Sequence, residues 1–207
     1  MALKFDVKKE FSSLYAPKNQ EFTLIDIPSM RYLSISGEGA PESSGFSEAI
    51  EALYSTAYPV KFISQAATGK DYVVPPLEGL WWANDPAVFA SNHRDSWKWT
   101  LLSFIPEWVT EEHVQAAISK AVSKGKQLAQ KICIVELTEG ISYQALFIGS
   151  FAGGGPILKR LHHTLMPQNN LTFNGLHHEI YISDFRKTVP DKLRTILRQP
   201  VRPLNQL

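Results

Sequence analysis

The chain has 207 residues, 44% of them apolar, enough for one domain or two fused half-domains around a substantial core, so global disorder is excluded. Lys and Arg number 21 against 20 Asp and Glu, a formal charge of +1 that gives no electrostatic footprint for nucleic acid. No stretch reaches the roughly 18 to 20 apolar residues of a membrane span, the start lacks an apolar leader, and Cys133 alone allows no internal disulfide, so the expected setting is cytoplasmic.

In chain order, Val7, Phe11 and Leu14 predict a short amphipathic helix over 6–15, closed by Pro17. Phe22 to Ile27 and Arg31 to Ser36 read as two strands around a Pro28-Ser29 turn. Phe46, Ala49, Ile50, Leu53, Tyr54 and Ala57 form the stripe of a core-facing helix. Leu77 to Trp82 is strand-like and is expected to pair antiparallel with a second aromatic strand, Trp97 to Ile105. Thr110 caps a helix carrying Val114, Ala117, Ile118, Ala121 and Val122, which ends near Gly125. Ile132 to Leu137 and Ile141 to Ile148 read as a hairpin joined at Glu139-Gly140, and Cys133, flanked by Ile132 and Ile134, is expected to be a buried small hydrophobe. Pro156 starts a helix with Ile157, Leu158, Leu161 and Leu165 on one face, Leu176 to Ile182 is the last strand, and a short helix with Leu193, Ile196 and Leu197 is expected from Pro190.

The order strand, strand, helix, strand thus occurs twice, which predicts an α+β protein built from a duplicated module, one domain over 1–207 with halves at about 20–105 and 130–203. In that repeat Glu78 and Glu179 occupy equivalent strands, and a pseudo-two-fold would bring both carboxylates to a shared cleft. Along the last strand His177, Glu179 and Tyr181 point away from Ile180 and Ile182, giving a polar and aromatic face. Aromatic surroundings would raise the Glu179 pKa and make it a general acid or base, or a partner for a cationic ligand; a solvated surface Glu is the plainer alternative. Trp81, Trp82, Trp97, Trp99 and Trp108 crowd one short region. They read either as core or as a one-sided wall for a flat ligand, and which of Trp81 and Trp82 faces that wall depends on strand register. No cofactor or metal is expected: Gly153-Gly154-Gly155 lacks a following Gly-Lys-Ser/Thr, Gly37 and Gly39 miss the dinucleotide spacing, and neither His162-His163 nor His177-His178 has metal-ligand spacing. With no Gly-x-Ser-x-Gly elbow, an acyl-enzyme has little support.

The segment His178-Glu179-Ile180-Tyr181-Ile182-Ser183-Asp184-Phe185-Arg186-Lys187, followed by Pro190, Lys192 to Arg198 and Pro200-Val201, resembles the C-terminal signature of GyrI-like small-molecule-binding proteins. Leu14-Tyr15-Ala16-Pro17-Lys18, Gly37 to Pro41, Glu51-Ala52-Leu53-Tyr54, Lys61-Phe62 and Pro76 to Trp82 resemble the family's stand-alone branch. The resemblance implies antiparallel sheets forming a concave ligand groove, with the residue matching Glu179 contacting cationic drugs in regulator effector domains. The stand-alone branch is similar to cyclopropanoid cyclopropyl hydrolases, which open the strained ring of yatakemycin-type DNA-alkylating compounds inside an aromatic cage. Phe147-Ile148-Gly149-Ser150-Phe151 stands where a His-x-Gly-Pro-Tyr stretch is common, which leaves ligand identity open. On this reading Trp82, Trp97, Trp99 and Phe151 form the cage, with Tyr54, Trp81 and His177 also binding ligand. Glu179 orients or deprotonates water, while Tyr181 and Glu78 steady the developing charge or the second proton. The expected partner is a hydrophobic planar or cationic small molecule, with no nucleic acid and no membrane, the protein being a monomer or homodimer. The alternatives are a binder without turnover, or a regulator contacting another protein.

Overall fold

The computed structural model describes residues 4–84 and 94–205. Two short helices, α1 (Val7–Glu10) and α2 (Ser12–Tyr15), open the chain where one helix is expected, with the Asp6 carboxylate capping the first. They are followed by β1 (Thr23–Ile27), β2 (Met30–Glu38), α3 (Ser44–Thr68), β3 (Leu77–Trp82), β4 (Lys98–Phe104) and α4 (Glu111–Ser123). The second half runs β5 (Cys133–Leu137), β6 (Gly140–Ile148), α5 (Gly154–Arg160), a π-helical turn over Leu161–Leu165, α6 (Met166–Gln168), β7 (Leu171–Phe173), β8 (His177–Tyr181) and β9 (Arg194–Pro203). No helix among the described residues is long and apolar enough to cross a membrane.

Eight strands form one antiparallel sheet in the order β1, β6, β9, β8, β3, β4, β2, β5, and β7 adds to β9. The order is symmetric about the β8/β3 boundary, and each half contributes its last two strands to the centre. The α+β expectation holds, and β3 pairs antiparallel with β4 as expected, Trp81 opposite Trp99. Three expectations are corrected. Strands β5 and β6 do not form a hairpin: β5 pairs with β2 and β6 with β1, so each half lends its first strand to the other half's edge. On that edge Cys133 is exposed, since β5 has a neighbour on one side only. The segment after Pro190 is not a helix. After a single 3-10 turn it becomes β9, whose Thr195, Ile196 and Leu197 are all buried because β9 lies inside the sheet with both faces covered.

Alternation sorts the core onto two faces. Leu102, Phe104, Leu146, Ile180 and Ile196 pack against Val7, Leu14 and Tyr15 of the N-terminal helices. On the other face Leu33, Ile35, Leu77, Trp81, Trp99 and Leu101 pack against α3 and α4, while Tyr143 and Val201 pack against Leu161 and Met166. The helix α3 forms because Ser43 caps it, Phe46, Ala49, Leu53, Ala57 and Val60 give one apolar stripe, and Gly69 at φ +71° ends it. Trp99 lies across β2 over Gly37, where any β-carbon would overlap its ring.

The N-terminal face also holds a closed set of buried charges. His178 lies 3.0 Å from Glu78 through Nε2 and 3.0 Å from Glu139 through Nδ1. Arg198 donates to Glu139 at 2.7 Å, to Gln144 at 2.9 Å and to the Leu14 carbonyl at 3.2 Å. The Tyr15 hydroxyl donates to Glu78 at 2.9 Å, and Gln144 donates to the Ser13 carbonyl at 2.9 Å. Two cations thus face two carboxylates, and the set ties the helices α1 and α2 to the middle of the sheet. Burial alone would push His178 down, but the Glu139 and Glu78 carboxylates outweigh it and hold the imidazolium at about 9. Burial would raise Glu139, but His178 and Arg198 bring it to about 2.

A raised histidine stabilises the fold fully below its ordinary value of 6.5, and that contribution is lost as pH rises through about 9. The lowered Glu139 contributes fully above 4.5, and its share is lost as pH falls toward about 2. Urea midpoints are therefore expected to decline from about pH 6.5 to 9 in the wild type. His178→Gln, which leaves Glu78 without a cation and Glu139 with Arg198 alone, should lack that decline and be less stable by about 3 kcal/mol near pH 6. A flat wild-type profile over this range would contradict the assignment.

Candidate functional site

The two central strands set the site by register. Gly79 lies opposite Glu179, Leu77 opposite Tyr181 and Trp81 opposite His177, so these six residues share the face toward the helices. Glu78 is opposite Ile180 and Leu80 is opposite His178, on the other face. The expected shared cleft for Glu78 and Glu179 is therefore corrected. The registers carry β2 onto β6 and β3 onto β8, so that Glu78 matches His178, and Gly79 matches Glu179. The sequence match was off by one residue, and one step along a strand changes faces. Glu78 is fully buried and committed to Tyr15 and His178.

On the helix face Glu179 keeps 20% of its side chain exposed, and its Oε1 lies 3.3 Å from Nε2 of His177. Trp81 donates its indole N–H to the Tyr181 hydroxyl at 2.9 Å. This bond passes over Gly79: a β-carbon there would stand 3.0 Å from the indole nitrogen and 3.2 Å from the tyrosine oxygen. Burial, then the neighbouring Glu179 charge, holds the Tyr181 hydroxyl well above the usual tyrosine range, so it stays protonated. Phe151 and Phe185 meet Tyr181 edge-on at 5.7 and 6.0 Å, and each other at 6.0 Å. Phe46 stacks on Trp81 at 5.5 Å and meets Trp99 edge-on at 5.2 Å, and Trp97 meets Trp81 edge-on at 5.9 Å.

The structure thus brings Glu179, Tyr181, His177, Trp81 and Phe151 together, with Trp97 behind Trp81. Trp99 lies on the same face but is buried under Phe46 at 3% exposure, so it backs the wall. Trp82, one residue past Trp81, is on the opposite face and leaves the cage. Trp108, in the turn after β4, packs between Phe5 and Tyr72 rather than against Trp81 or Tyr181. Tyr54 projects from α3, half-buried, 6.0 Å from Tyr58, and burial pushes its hydroxyl up to about 12. It lines a groove of about 700 Å³ along α3 that shares Phe46 and Phe185 with the aromatic cluster but whose walls do not include Glu179. Sequence reasoning missed Phe46, Phe185 and the close approach of two side chains over Gly79. Phe46 was read only as core, and Gly79 carried no signal until its partner across the sheet was known. Among the described residues no three His, Cys, Asp or Glu side chains are grouped to hold a metal.

A profile of the GyrI-like small molecule binding domain matches residues 20–202. An uncharacterized conserved protein from Listeria innocua is 34% identical over 96% of this chain and 100% of its own, with a TM-score of 0.87. A hydrolase from Listeria innocua is also 34% identical, over 97% of this chain and 100% of its own, with a TM-score of 0.85. The EcmrR C-terminal domain, 12% identical over 88% of this chain and 98% of its own with a TM-score of 0.55, shares the fold alone. No curated protein matches the chain.

Gly79→Ala tests the geometry. The added methyl would stand 3.0 Å from the indole nitrogen and 3.2 Å from the tyrosine oxygen, so both must give by a few tenths of an ångström and the bond between them is strained; the variant is expected to lose about 1 to 3 kcal/mol in urea unfolding and to show altered tryptophan emission. Wild-type stability and emission would show that the two rings do not meet over Gly79.

Proposed function

The chain belongs to the GyrI-like small-molecule-binding family, and we propose that its helix-side site adds water across the strained cyclopropane of a planar electrophilic xenobiotic. The observation that carries this reading is Glu179, a one-fifth-exposed carboxylate on the same strand face as Trp81 and Tyr181, with Phe151 and Phe185 against the tyrosine. The similarity to a hydrolase over nearly the whole chain supports an enzyme rather than a bare binder.

Stacking on the rings holds a flat ligand at roughly 0.5 to 1.5 kcal/mol per aromatic contact and keeps bulk water off its face. In the proposed step Glu179 takes a proton from a water whose oxygen forms a bond to a cyclopropane carbon. The ring carbon–carbon bond breaks, and its electron pair passes into the conjugated carbonyl, whose oxygen takes up a proton from solvent to become a phenol while Glu179 returns its proton to solvent. Tyr181, kept neutral by burial, donates a hydrogen bond to that developing oxyanion, and the Trp81 N–H polarises the tyrosine hydroxyl. His177, at 3.3 Å, orients the carboxylate. Glu78 has no part in the step, because it lies on the other face.

Mass spectrometry of a cyclopropane-bearing alkylator incubated with the protein tests the reading. Wild type is expected to release the water-added, ring-opened product, and Glu179→Gln to slow this by about 100-fold or more. Quenching of tryptophan emission should report ligand binding in both proteins. Unchanged compound together with quenching would reduce the site to binding without turnover.

A further inference from the structure

The groove along α3 has its own chemistry. Its floor includes Tyr54, Tyr58 and Phe62, of which Tyr58 is 53% and Phe62 58% exposed, large aromatic faces that a soluble protein ordinarily covers. Cations from two elements line it: Lys120, Lys124 and Lys126 at the end of α4, and Arg186 after β8. Glu51, the one acid in the lining among the described residues, already pairs with Lys126 at 2.6 Å, and Arg186 is held by Asp184 at 2.9 Å. Among the described residues no acidic side chain pairs with Lys120 or Lys124. They lie one turn apart, so both ammonium groups overhang the same stretch of helix face.

We infer that this groove is a second binding site, for a small planar aromatic anion, which shares Phe46 and Phe185 with the carboxylate site but whose walls do not include Glu179. The size fits: about 700 Å³ is the volume of a site for one drug-sized molecule. The aromatic floor takes the flat rings, and Lys120 and Lys124 take the anionic group. The sign of charge separates the two sites, since Glu179 favours a neutral or cationic ligand and repels an anion. A carboxylated, sulfonated or sulfated arene is the ligand class that meets both requirements of the groove.

The probe is 8-anilino-1-naphthalenesulfonate, set against N-phenyl-1-naphthylamine, the same ring system without the sulfonate, in low-salt fluorescence titrations. The wild type is expected to bind one sulfonate more tightly than the neutral dye. The double substitution Lys120→Glu and Lys124→Glu, at exposed positions, should weaken the sulfonate by about tenfold or more and leave the neutral dye unchanged. Glu179→Gln should leave the sulfonate affinity unchanged, whatever its effect on ring opening. The proposal is overturned if charge reversal leaves the sulfonate affinity intact, if it weakens both dyes equally, or if Glu179→Gln abolishes sulfonate binding. It is equally overturned if sedimentation shows the reversal to dissociate an oligomer, since the groove would then be a surface between copies.

Discussion

The contact between Glu78 and His178 at the middle of the sheet constrains more of this molecule than any other. Both side chains are fully buried, so neither charge has water to fall back on, and each must keep its partner. They sit on neighbouring strands near the pseudo-two-fold boundary, within two residues of direct register. A one-residue slip of β8 along β3 would break this contact and turn His178 toward the helices. Glu139 and Arg198 extend the same constraint into β9 and the turn before β6, and Tyr15, Ser13 and Leu14 extend it to the N-terminal helices. The polar set adds little net free energy over an apolar core of equal shape. It discriminates strongly between registers, because a misregistered sheet would bury unpaired charge.

With register fixed, the opposite face follows by alternation. Trp81 and Tyr181 are matching positions of the two halves, and they meet across the axis in a single hydrogen bond. Gly79 and Glu179 are also matching positions, and here the halves differ. A side chain on β3 at position 79 would crowd both polar atoms, whereas its absence lets Trp81 and Tyr181 bond over the strand, beside the carboxylate that β8 supplies. Symmetry builds a closed aromatic pair, and breaking it at one residue sets one carboxylate beside that pair.

Much of this was legible in the sequence, and the failures have specific causes. Strand and helix positions were readable from periodicity where one face is buried and the other wet, as in α3 and α4. The segment 194–203 was misread because a strand covered on both faces does not alternate, and Leu193, Ile196 and Leu197 also satisfy helical spacing. The exchange of β1 and β5 between halves lay beyond any local signal, since Glu139-Gly140 is a credible hairpin turn and only long-range pairing decides against it. Glu179, Tyr181 and His177 were legible as a face because strand alternation is local, whereas Trp81 against Trp82 turned on the register of β3. Glu78 was misplaced because the alignment of the two halves depends on register, which sequence similarity between Glu-containing strands does not fix. Trp82 and Trp108 show the same limit: closeness along the chain is not closeness in space when alternation and a hairpin intervene.

The lone carboxylate that the central strands turn toward the helices narrows the chemistry proposed for it. Two carboxylates facing one ligand would let one act as base and the other as acid, as the cleavage of a bond to a poor leaving group requires. Here the second carboxylate is spent on the far face, and the groups beside Glu179 are a neutral tyrosine, a histidine and an indole. Such a set can activate water and donate hydrogen bonds, but it holds no strong acid. Reactions that suit it are those whose departing electron pair is already delocalised. A strained ring that opens into a phenol is of this kind, because release of strain and gain of aromaticity drive the cleavage and the oxyanion needs only a hydrogen bond. The distribution of charge between the two faces of the sheet therefore supports ring opening over hydrolysis of an unactivated bond.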